Sequence, residues 1–188
     1  MAKANGEFPS LTTERLRLRA PILEDAKAFR ALLSIPEVTR YSNWPNAPKP
    51  PYAERAIRWM ARLHASSNGC AWIIEDSASR AILGAIRFNH IERKWKVGLI
   101  GYELHPEFWG RGLMTEALQA VVLCGHQAFS LNRIEAWTLP GNGASDRVLE
   151  KAGFQYEGTL RQKARFKGEY HDFRMFGRIA GDPMNSPA

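Results

Sequence analysis

The sequence predicts a single α/β domain of the mixed α+β kind, with one central mixed sheet of about seven strands and helices on both of its faces. A chain of 188 residues can bury one substantial core but is short for two. With 45% hydrophobic and 24% charged residues, its composition is that of a globular protein. The predicted order of elements, β-α-α-β-β-β-α-β-α-β-β, neither alternates strictly nor separates strands from helices. Such an order predicts one mixed sheet covered by helices on two sides.

The first half of the chain begins with a strand and continues with two helices. Residues 14–19 (ERLRLR) alternate leucine with arginine, which predicts a half-buried strand. Apolar residues at helical spacing follow Asp25 and recur over 52–65, and each set predicts a helix. Between them, residues 36–51 contain five prolines, so we expect a long irregular loop there. A loop of that length in a small domain is usually functional or mobile.

The second half of the chain contains the remaining strands and two further helices. The first of these helices begins at a glycine-containing stretch after the fourth predicted strand. Asn142 is placed to cap the second helix, and Gly153 to end it. The remaining predicted strands are 70–76, 81–91, 96–105, 132–139, 155–166 and 170–179. We assign residues 11–180 to the domain, 1–10 to an N-terminal extension and 181–188 to a disordered tail.

The formal charge of +7 predicts a polyanionic partner. Nucleic acid, an anionic membrane surface and a phosphate-rich cofactor would each satisfy this charge. The densest basic cluster lies late in the chain, where the alternation of a strand would place all its members on one side. These residues are Arg161, Lys163, Arg165 and Lys167.

Other features of the sequence exclude some classes of protein. No apolar run is long enough to cross a bilayer and no secretory signal is visible, so we expect a cytoplasmic protein without membrane association. Cys70 and Cys124 are far apart in the sequence and lack the spacing of metal ligands. They predict buried free thiols, and we expect no metal site.

The stretch FWGRGLMTEAL (108–118) joins a strand to a helix through two glycines. Gly110 and Gly112 would let an anion approach the main chain, and Arg111 adds a positive charge. The first amide groups of a helix have no partners within it, and its N-terminus carries partial positive charge. The stretch therefore predicts either a phosphate-binding loop or a simple turn.

Three kinds of phosphate-bearing ligand fit this loop to different degrees. The nucleoside triphosphate pattern GxxxxGK[ST] is absent. The dinucleotide pattern GxGxxG lacks its third glycine, since Thr115 stands there, although Glu135 lies near the position expected of a ribose-binding acid. Glu135 is predicted to lie within a strand, and the lead-in from the preceding strand (105–109) is long, which counts against a dinucleotide. The third candidate ligand is coenzyme A, which the resemblance of this stretch to a known family implies.

The stretches GYELHPEFWGRGLMTEAL (101–118) and NGASDRVLEKAGF (142–154) together resemble the GCN5-related N-acetyltransferases (GNAT). Within that family they look most like the ribosomal-protein N-terminal acetyltransferases, and the resemblance runs from Glu14 to Arg178. It implies that the pyrophosphate of acetyl-CoA binds to main-chain amides of the loop before the helix. The residues of this loop are Trp109, Gly110, Arg111, Gly112, Leu113, Met114 and Thr115. Trp109 and Met114 depart from the family pattern (Gln/Arg)-x-x-Gly-x-(Gly/Ala), so no polar side-chain contact is expected from position 109.

The resemblance also implies roles at the end of the fourth strand and the start of the last helix. The main-chain N–H near Leu104 would bind the acetyl carbonyl, and the cofactor would lie where this strand and the parallel strand 132–139 splay apart. Asn142 and Ser145 match the family's N-x-x-S position. There, a hydroxyl would hydrogen-bond the sulfur of coenzyme A and protonate it as the thioester collapses. From the residues alone, Asn142 and Ser145 are also suited to capping the helix.

The general base is the least determined group of the predicted site. In some relatives a carboxylate lies on the strand after the last helix, but Ala164 stands at that position here. We take Glu103 as the candidate base, with His90 and Glu92 as alternatives. An outward-facing strand carboxylate explains Glu103 equally well, and an ordinary strand histidine explains His90 better than catalysis does. The candidate acceptor-binding residues lie in the proline-rich loop and the third strand, and are Tyr41, Asn43, Trp44 and His90.

The missing base bears on the kind of amine that accepts the acetyl group. A peptide α-amine has a pKa of about 7.7–8.0, so roughly a tenth is neutral at pH 7, whereas a lysine amine near 10.4 is almost fully charged. This favours a protein N-terminus or a small amine of low pKa over a lysine side chain. Because the resemblance implies a ribosomal-protein-like acceptor, we expect transfer to a protein N-terminus in a ternary complex. Two alternatives stay open: acetylation of a small amine (antibiotic, amino acid or polyamine), and a non-catalytic module that binds RNA or the ribosome. Either a monomer or a homodimer agrees with the sequence.

Overall fold

The computed structural model describes residues 7–183, which form one eight-stranded sheet with helices on both faces. The strands lie in the order β1-β2-β3-β4-β5-β6-β8-β7. Their bounds are β1 Leu11–Thr12, β2 Leu16–Arg19, β3 Cys70–Asp76, β4 Ile82–Glu92, β5 Val97–Leu104, β6 Arg133–Thr138, β7 Gln155–Phe166 and β8 Glu169–Ile179. The predicted mixed sheet is confirmed, and its additional strand is the two-residue β1.

The helices begin earlier than the proline content of residues 36–51 predicts. Within residues 7–183 they are α1 Ala26–Leu33, α2 Pro36–Thr39, α3 Pro50–Ala65, α4 Leu113–Gln127 and α5 Gly143–Lys151. Pro36 begins α2, and Pro50 and Pro51 begin α3. Proline is well suited to the first turn of a helix because the N–H that it lacks would have no helical partner there. The prediction of one continuous loop is therefore wrong, and residues 40–49 form the loop that remains.

Two apolar clusters cover the two faces of the sheet. On one face α4 and α5 pack around buried rings that include Trp72, Phe88 and Phe176. On the other face α1 and α3 pack around Phe29 and Trp44. The first cluster also contains both cysteines, which are free and buried as predicted.

The central strands β5 and β6 are parallel and separate part-way along their length. The residues that pair are Val97 with Arg133, Gly98 with Ile134, and Leu99 with Glu135. Beyond Leu99, β5 stays paired with β4 as far as Leu104, while β6 stays paired with β8 as far as Thr138. A gap therefore opens between the carboxyl ends of two neighbouring parallel strands, as expected, and this is a usual place for a ligand site.

The β7–β8 hairpin carries the basic cluster at the edge of the sheet. Its register shifts between Leu160 and Ala164, where three residues of β7 lie opposite one residue of β8. Within this bulge Gln162 has a φ of 49°, and its N–H donates to the carboxylate of Asp172 at 2.7 Å. A bulge of this kind interrupts the alternation of side chains. Alternation is therefore interrupted at residues 161–163, and a common side for all four basic residues, which are exposed, stays a prediction.

The two ends of the chain are covered only in part. Residues 1–6 and 184–188, which include most of the predicted extension and tail, lie outside the described residues. Phe8 lies 6.0 Å from the ring of Trp72, and the Pro9 carbonyl accepts a hydrogen bond from the same indole at 2.7 Å. The domain bounds 11–180 stay a prediction. Between residues 7 and 183, no helix has both the length and the apolar character needed to span a membrane.

Candidate active site

The glycine stretch forms the bend between β5 and α4. Gly110 and Gly112 have left-handed φ values of 73° and 76°, and Gly112 is the N-cap of α4. This conformation costs a residue with a β-carbon about 1–2 kcal/mol. A β-carbon on Gly112 would meet the guanidinium of Arg15 at 3.6 Å, an ordinary contact. The conformation of the main chain, and not lack of space, therefore requires glycine here.

The first amide groups of α4 are available to an anion at the helix N-terminus. The N–H of Glu116 donates to the Gly112 carbonyl at 3.0 Å, whereas those of Leu113, Met114 and Thr115 precede this first helical bond. The side chains of Leu113 and Met114 are buried in the core, so these two residues present main-chain groups to the loop. N–H groups at a positive helix end, beside glycines without side chains, fit the pyrophosphate of acetyl-CoA.

Trp109 ties this loop to the end of β5. Its indole N–H donates to the Leu104 carbonyl at 2.7 Å. The indole N–H is therefore used within the protein, which agrees with the expectation of no polar cofactor contact from this position. Arg111 is exposed and lies 5.5 Å from the centre of the Phe108 ring.

The main-chain N–H of Leu104 points into the gap between β5 and β6. The neighbouring N–H of His105 donates to the Leu83 carbonyl on the β4 side at 2.8 Å. Hydrogen-bonding groups alternate in direction along an antiparallel strand, so Leu104 directs its N–H away from β4. The role predicted for Leu104, binding the acetyl carbonyl, needs this direction.

The turn between β1 and β2 holds the glycine loop in place. The Glu116 carboxylate accepts hydrogen bonds from the Thr13 hydroxyl at 2.5 Å, the Arg15 N–H at 3.0 Å and the Arg15 guanidinium at 2.7 Å. Arg15 also donates to the Arg111 carbonyl at 3.0 Å. Burial acts to raise the pKa of Glu116, but the hydrogen bonds from Thr13 and Arg15 together lower it. The charge of Glu116 is thereby neutralised beside the helix end that would bind an anion.

Asn142 and Ser145 begin α5 at the edge of the gap. The side-chain oxygen of Asn142 accepts a hydrogen bond from the Ser145 N–H at 3.3 Å, so Asn142 caps the helix as predicted. The Ser145 hydroxyl has a different partner, the hydroxyl of Tyr102 on β5 at 2.7 Å. Burial raises the pKa of Tyr102, although the hydrogen bond with Ser145 acts in the opposite direction. The phenol therefore keeps its proton and can donate it to a hydrogen bond.

The candidate base Glu103 is buried and its carboxylate is engaged by three donors. Two guanidinium nitrogens of Arg87 lie 2.5 and 2.8 Å from its oxygens, and the Trp44 indole N–H donates at 2.5 Å. The side chains of Arg87 and Glu103 are 6% and 4% exposed, so this bidentate pair is shielded from water. The geometry favours a structural role for Glu103, which fixes Arg87 and Trp44, over the predicted role as general base.

Two adjoining cavities of about 320 and 310 Å³ extend from the gap to α3, and we call them together the acceptor cleft. Ser145 and Tyr102 line its inner part, while Tyr52 and Arg55 line its outer part. The two parts share Asn43, Trp59, Arg87 and Asn89. The predicted acceptor residues that line the cleft are Tyr41, Asn43 and Trp44. Most of these aromatic residues come from the loop and helix that follow α2.

His90 and Glu92 lie outside the acceptor cleft. The register of β4 shifts between Phe88 and His90, and Asn89 is the last residue of this strand that lines the cleft. His90 is exposed, and the Glu92 carboxylate accepts a hydrogen bond from the Lys94 N–H at 3.1 Å. The prediction that His90 lines the acceptor site is therefore wrong, because the bulge displaces it along the strand.

Comparisons with known proteins agree with this geometry. The family model of the acetyltransferase (GNAT) domain matches residues 15–155. The chain belongs to the GNAT acetyltransferase family. This GNAT protein is 38% identical over 172 residues to the uncharacterized N-acetyltransferase YoaA of Bacillus subtilis (strain 168), a match that covers 92% of this chain and 97% of YoaA.

Two further relatives carry names that describe an acceptor. The ribosomal-protein-serine acetyltransferase of Escherichia coli (strain K12) is 34% identical to the GNAT protein over 98 residues, 52% of this chain and 55% of that one. A solved structure of RimL, described as a ribosomal L7/L12 alpha-N-protein acetyltransferase in complex with coenzyme A, superposes with a TM-score of 0.83. Its sequence identity is 25%, and the match covers 91% of this chain and 98% of that one.

The GNAT protein is an acetyl-CoA-dependent acyltransferase. The predicted family, fold and co-substrate are confirmed, and the alternative of a non-catalytic RNA-binding module is set aside. Within residues 7–183, no group of side chains is arranged to hold a metal ion.

Arg15, Arg87 and Tyr102 lie at the site but were not predicted from the sequence. Arg87 stands in the otherwise apolar run AILGAIRF, and a buried guanidinium needs an anionic partner, so this signal was available. The arginines of ERLRLR looked like a solvated face, and nothing near them in the sequence indicates Glu116. Tyr102 lies within the recognised motif, but its contact with Ser145 depends on how α5 crosses the gap.

Proposed function

We propose that this GNAT enzyme transfers the acetyl group of acetyl-CoA directly to the N-terminal α-amine of a protein, within a ternary complex. The observation that carries the proposal is the acceptor cleft, which begins at Ser145 beside the donor gap and opens at α3. An extended chain end fits such a passage. The names of the E. coli relative and of RimL, which describe protein acceptors, support this class of substrate. A ribosomal protein as acceptor and a cytoplasmic location belong to the same proposal.

Direct transfer is favoured because the described part of the cleft offers no thiol to carry the acetyl group. Cys70 and Cys124 are both buried in the core, and burial raises the pKa of each thiol. Transfer within one complex requires both substrates to be held close together, and the donor gap and the acceptor cleft meet at Ser145.

On the donor side, main-chain groups do the binding. The amides at the start of α4 hold the pyrophosphate, and the N–H of Leu104 polarises the acetyl carbonyl. Acetyl-CoA supplies an activated thioester, so the protein's own task is to orient the reacting carbonyl and to provide a proton for the departing sulfur.

In the proposed mechanism Ser145 provides that proton and regains one from the attacking amine nitrogen, which loses a proton as the amide forms; Tyr102 orients the hydroxyl. The two hydroxyl oxygens lie 2.7 Å apart, and in this mechanism the Tyr102 phenol donates to the Ser145 oxygen because a phenol is ordinarily the more acidic hydroxyl. This leaves the Ser145 proton free to point toward the sulfur. A hydroxyl that accepts a hydrogen bond is also a stronger donor itself.

No strong base is required for an α-amine. About a tenth of such amines are neutral at pH 7, whereas a lysine amine is almost entirely charged. With Glu103 held by Arg87 and Trp44, the cleft selects for an amine that is already partly neutral. The same reasoning favours an α-amine over the lysine side chains of folded proteins.

An acceptor screen tests the proposal. The enzyme is mixed with acetyl-CoA and a panel of N-terminal peptides, lysine peptides and small amines, and free thiol is followed over time. We expect thiol release with N-terminal peptides and an increase in melting temperature with acetyl-CoA alone. Release only with small amines would replace the protein acceptor by a small molecule, and release with none of them would overturn the proposal.

The role of Ser145 has its own test. Ser145→Ala should lower kcat while leaving the KM for acetyl-CoA nearly unchanged, because the hydroxyl acts on the leaving sulfur and not on binding. A raised KM with unchanged kcat would assign Ser145 to the architecture of α5 instead.

A further inference from the structure

The acceptor cleft is lined by few charged side chains, and more of them are positive than negative. Its charged lining residues are Arg55, Arg87 and Glu103. Both oxygens of Glu103 are occupied by Arg87, which lies over the ring of Trp44 at 5.0 Å from its centre. The described lining therefore has no unpaired carboxylate that could bind an additional ammonium group of the acceptor. A desolvated ammonium without an anionic partner is strongly unfavourable.

Two arginines lie over aromatic rings that line the cleft: Arg55 lines the outer cavity itself, whereas Arg40 lines neither cavity and adjoins the cleft through Tyr41. Arg40 lies 5.1 Å from the centre of the Tyr41 ring, and Arg55 lies 5.8 Å from the centre of the Tyr52 ring. Both tyrosines line the cleft. Neither guanidinium forms an ion pair with a carboxylate of the described residues, whereas those of Arg15, Arg19 and others do.

Guanidinium groups stacked on rings are suited to binding an anion. The ring supports the flat face of the guanidinium and leaves its N–H edge directed outward. That edge matches the two oxygens of a carboxylate. Arg55 in the outer cavity and Arg40 beside Tyr41 thus offer guanidinium groups to the acidic groups of a molecule that enters the cleft.

We propose that the acceptor of this enzyme carries acidic groups close to its reacting amine, and that Arg40 and Arg55 bind them. This inference rests on the proposed function, because it assumes that the amine reaches Ser145 through the cleft. Its substrate class is a protein N-terminus with Asp or Glu among its first residues. Polyamines and aminoglycosides, which carry several ammonium groups, are excluded.

Three peptides that differ only in charge test the inference. All begin with serine and share one length, and positions two to four are glutamate, glutamine or lysine. We expect kcat/KM to be highest for the acidic peptide, about fivefold above the neutral one for each arginine engaged, which is the scale of an exposed ion pair. The preference should shrink as salt is added, since the arginines are exposed.

Substitutions of the two arginines test whether they cause the preference for the acidic peptide. Arg40→Gln and Arg55→Gln should each reduce the ratio of acidic to neutral kcat/KM about fivefold, with the neutral peptide little affected. Arg58→Gln is the matched control, because Arg58 is exposed on the same helix as Arg55 but lines neither cavity, and within residues 7–183 its guanidinium lies over no tyrosine of the cleft. Its ratio should equal that of the unaltered enzyme.

The outcomes separate this inference from the proposed function. Acetylation of all three peptides at equal rates, or best with lysine, would overturn the inference and leave N-terminal transfer standing. Acetylation of no peptide but of free aspartate and glutamate would support the arginine sites while overturning the protein acceptor. Acetylation of spermidine or of an aminoglycoside in preference to all of these would overturn both.

Discussion

In the proposed active site, the donor side and the acceptor side are built in different ways. The donor side consists of two short stretches, 101–116 and 142–145, that present main-chain groups at helix N-termini and a strand end. The acceptor side consists of side chains that are distant in sequence, such as Trp44 with Glu103. Main-chain groups are the same for every residue type, whereas a side-chain site changes with each substitution. This difference explains why a motif identifies the donor and leaves the acceptor open.

The largest expected effect is at Gly112, where a substitution tests whether acetyl-CoA binding depends on the main-chain conformation of the donor loop. Gly112→Ala places a β-carbon on a residue with φ of 76°, at a cost of about 1–2 kcal/mol. The loop relieves this strain by leaving the conformation that directs its amides to the anion. We expect the KM for acetyl-CoA to rise about tenfold and that for the acceptor to stay unchanged, as measured by steady-state kinetics.

Gly112→Asn is the matched control for this prediction. Asparagine enters the left-handed region more readily than alanine, so its KM for acetyl-CoA should lie between those of the native enzyme and the alanine variant. If the alanine variant binds acetyl-CoA as well as the native enzyme does, binding by the loop amides does not depend on the left-handed conformation of Gly112.

A second prediction concerns Tyr102, where the donor side depends on a side chain. Tyr102→Phe removes the hydroxyl that orients Ser145, and we expect kcat to fall about fivefold with little change in the KM for acetyl-CoA. Single-turnover measurements would show the same loss in the chemical step.

The double variant shows whether Tyr102 acts through Ser145. If it does, adding Tyr102→Phe to Ser145→Ala should lower kcat no further, because the group to be oriented is already absent. Losses that multiply would mean that Tyr102 has a separate role.

A third prediction uses pH to examine the hydrogen bonds of Glu116 with Thr13 and Arg15, which we call the clamp. The pKa of Glu116 is lowered in the folded protein, since the hydrogen bonds from Thr13 and Arg15 outweigh burial. The carboxylate therefore stabilises the fold above its unfolded pKa of about 4.3, and this stabilisation is lost as pH falls through the lower folded value. Glu116→Gln should lower stability by about 1 kcal/mol at pH 7 and by much less near pH 3.

Thermal unfolding of both proteins at the two pH values measures this difference. Glu107→Gln is the matched control, because it also removes a carboxylate, and Glu107 is exposed and takes no part in the clamp. An equal loss of stability at both pH values would show that the shape of Glu116, and not its charge, matters.

The smallest expected effect lies on the acceptor side, at the tip of the β7–β8 hairpin. The ammonium of Lys167 donates to the Thr39 carbonyl at 2.5 Å and so joins the hairpin to the segment that leads into the acceptor loop. Lys167→Met removes this hydrogen bond and should make residues 40–49 less well fixed, which should raise the KM for the acceptor about twofold and leave the KM for acetyl-CoA unchanged. Lys163→Met, at an exposed position of the same hairpin, should change neither. An altered acetyl-CoA KM would contradict the separation of the two sides.

Much of the fold follows from local signals in the sequence. The alternation in residues 14–19 and the caps at Asn142 and Gly153 mark elements that the structure contains. The errors arise where one residue changes the local pattern. Pro36 and Pro50 begin helices instead of preventing them, and bulges in β4 and β7 shift the register without any sign in the sequence.

By itself, the sequence determined the mixed sheet, the order of its elements and the donor loop, because periodicity, glycine conformation and helix capping act over a few residues. The tertiary structure decided which groups meet in the site. It placed Arg15 on Glu116, 101 positions away, and Tyr102 on Ser145, 43 positions away. It also placed His90 outside the cleft. Such contacts depend on strand order, on bulges and on where helices cross the sheet, and these arise only when the whole core packs.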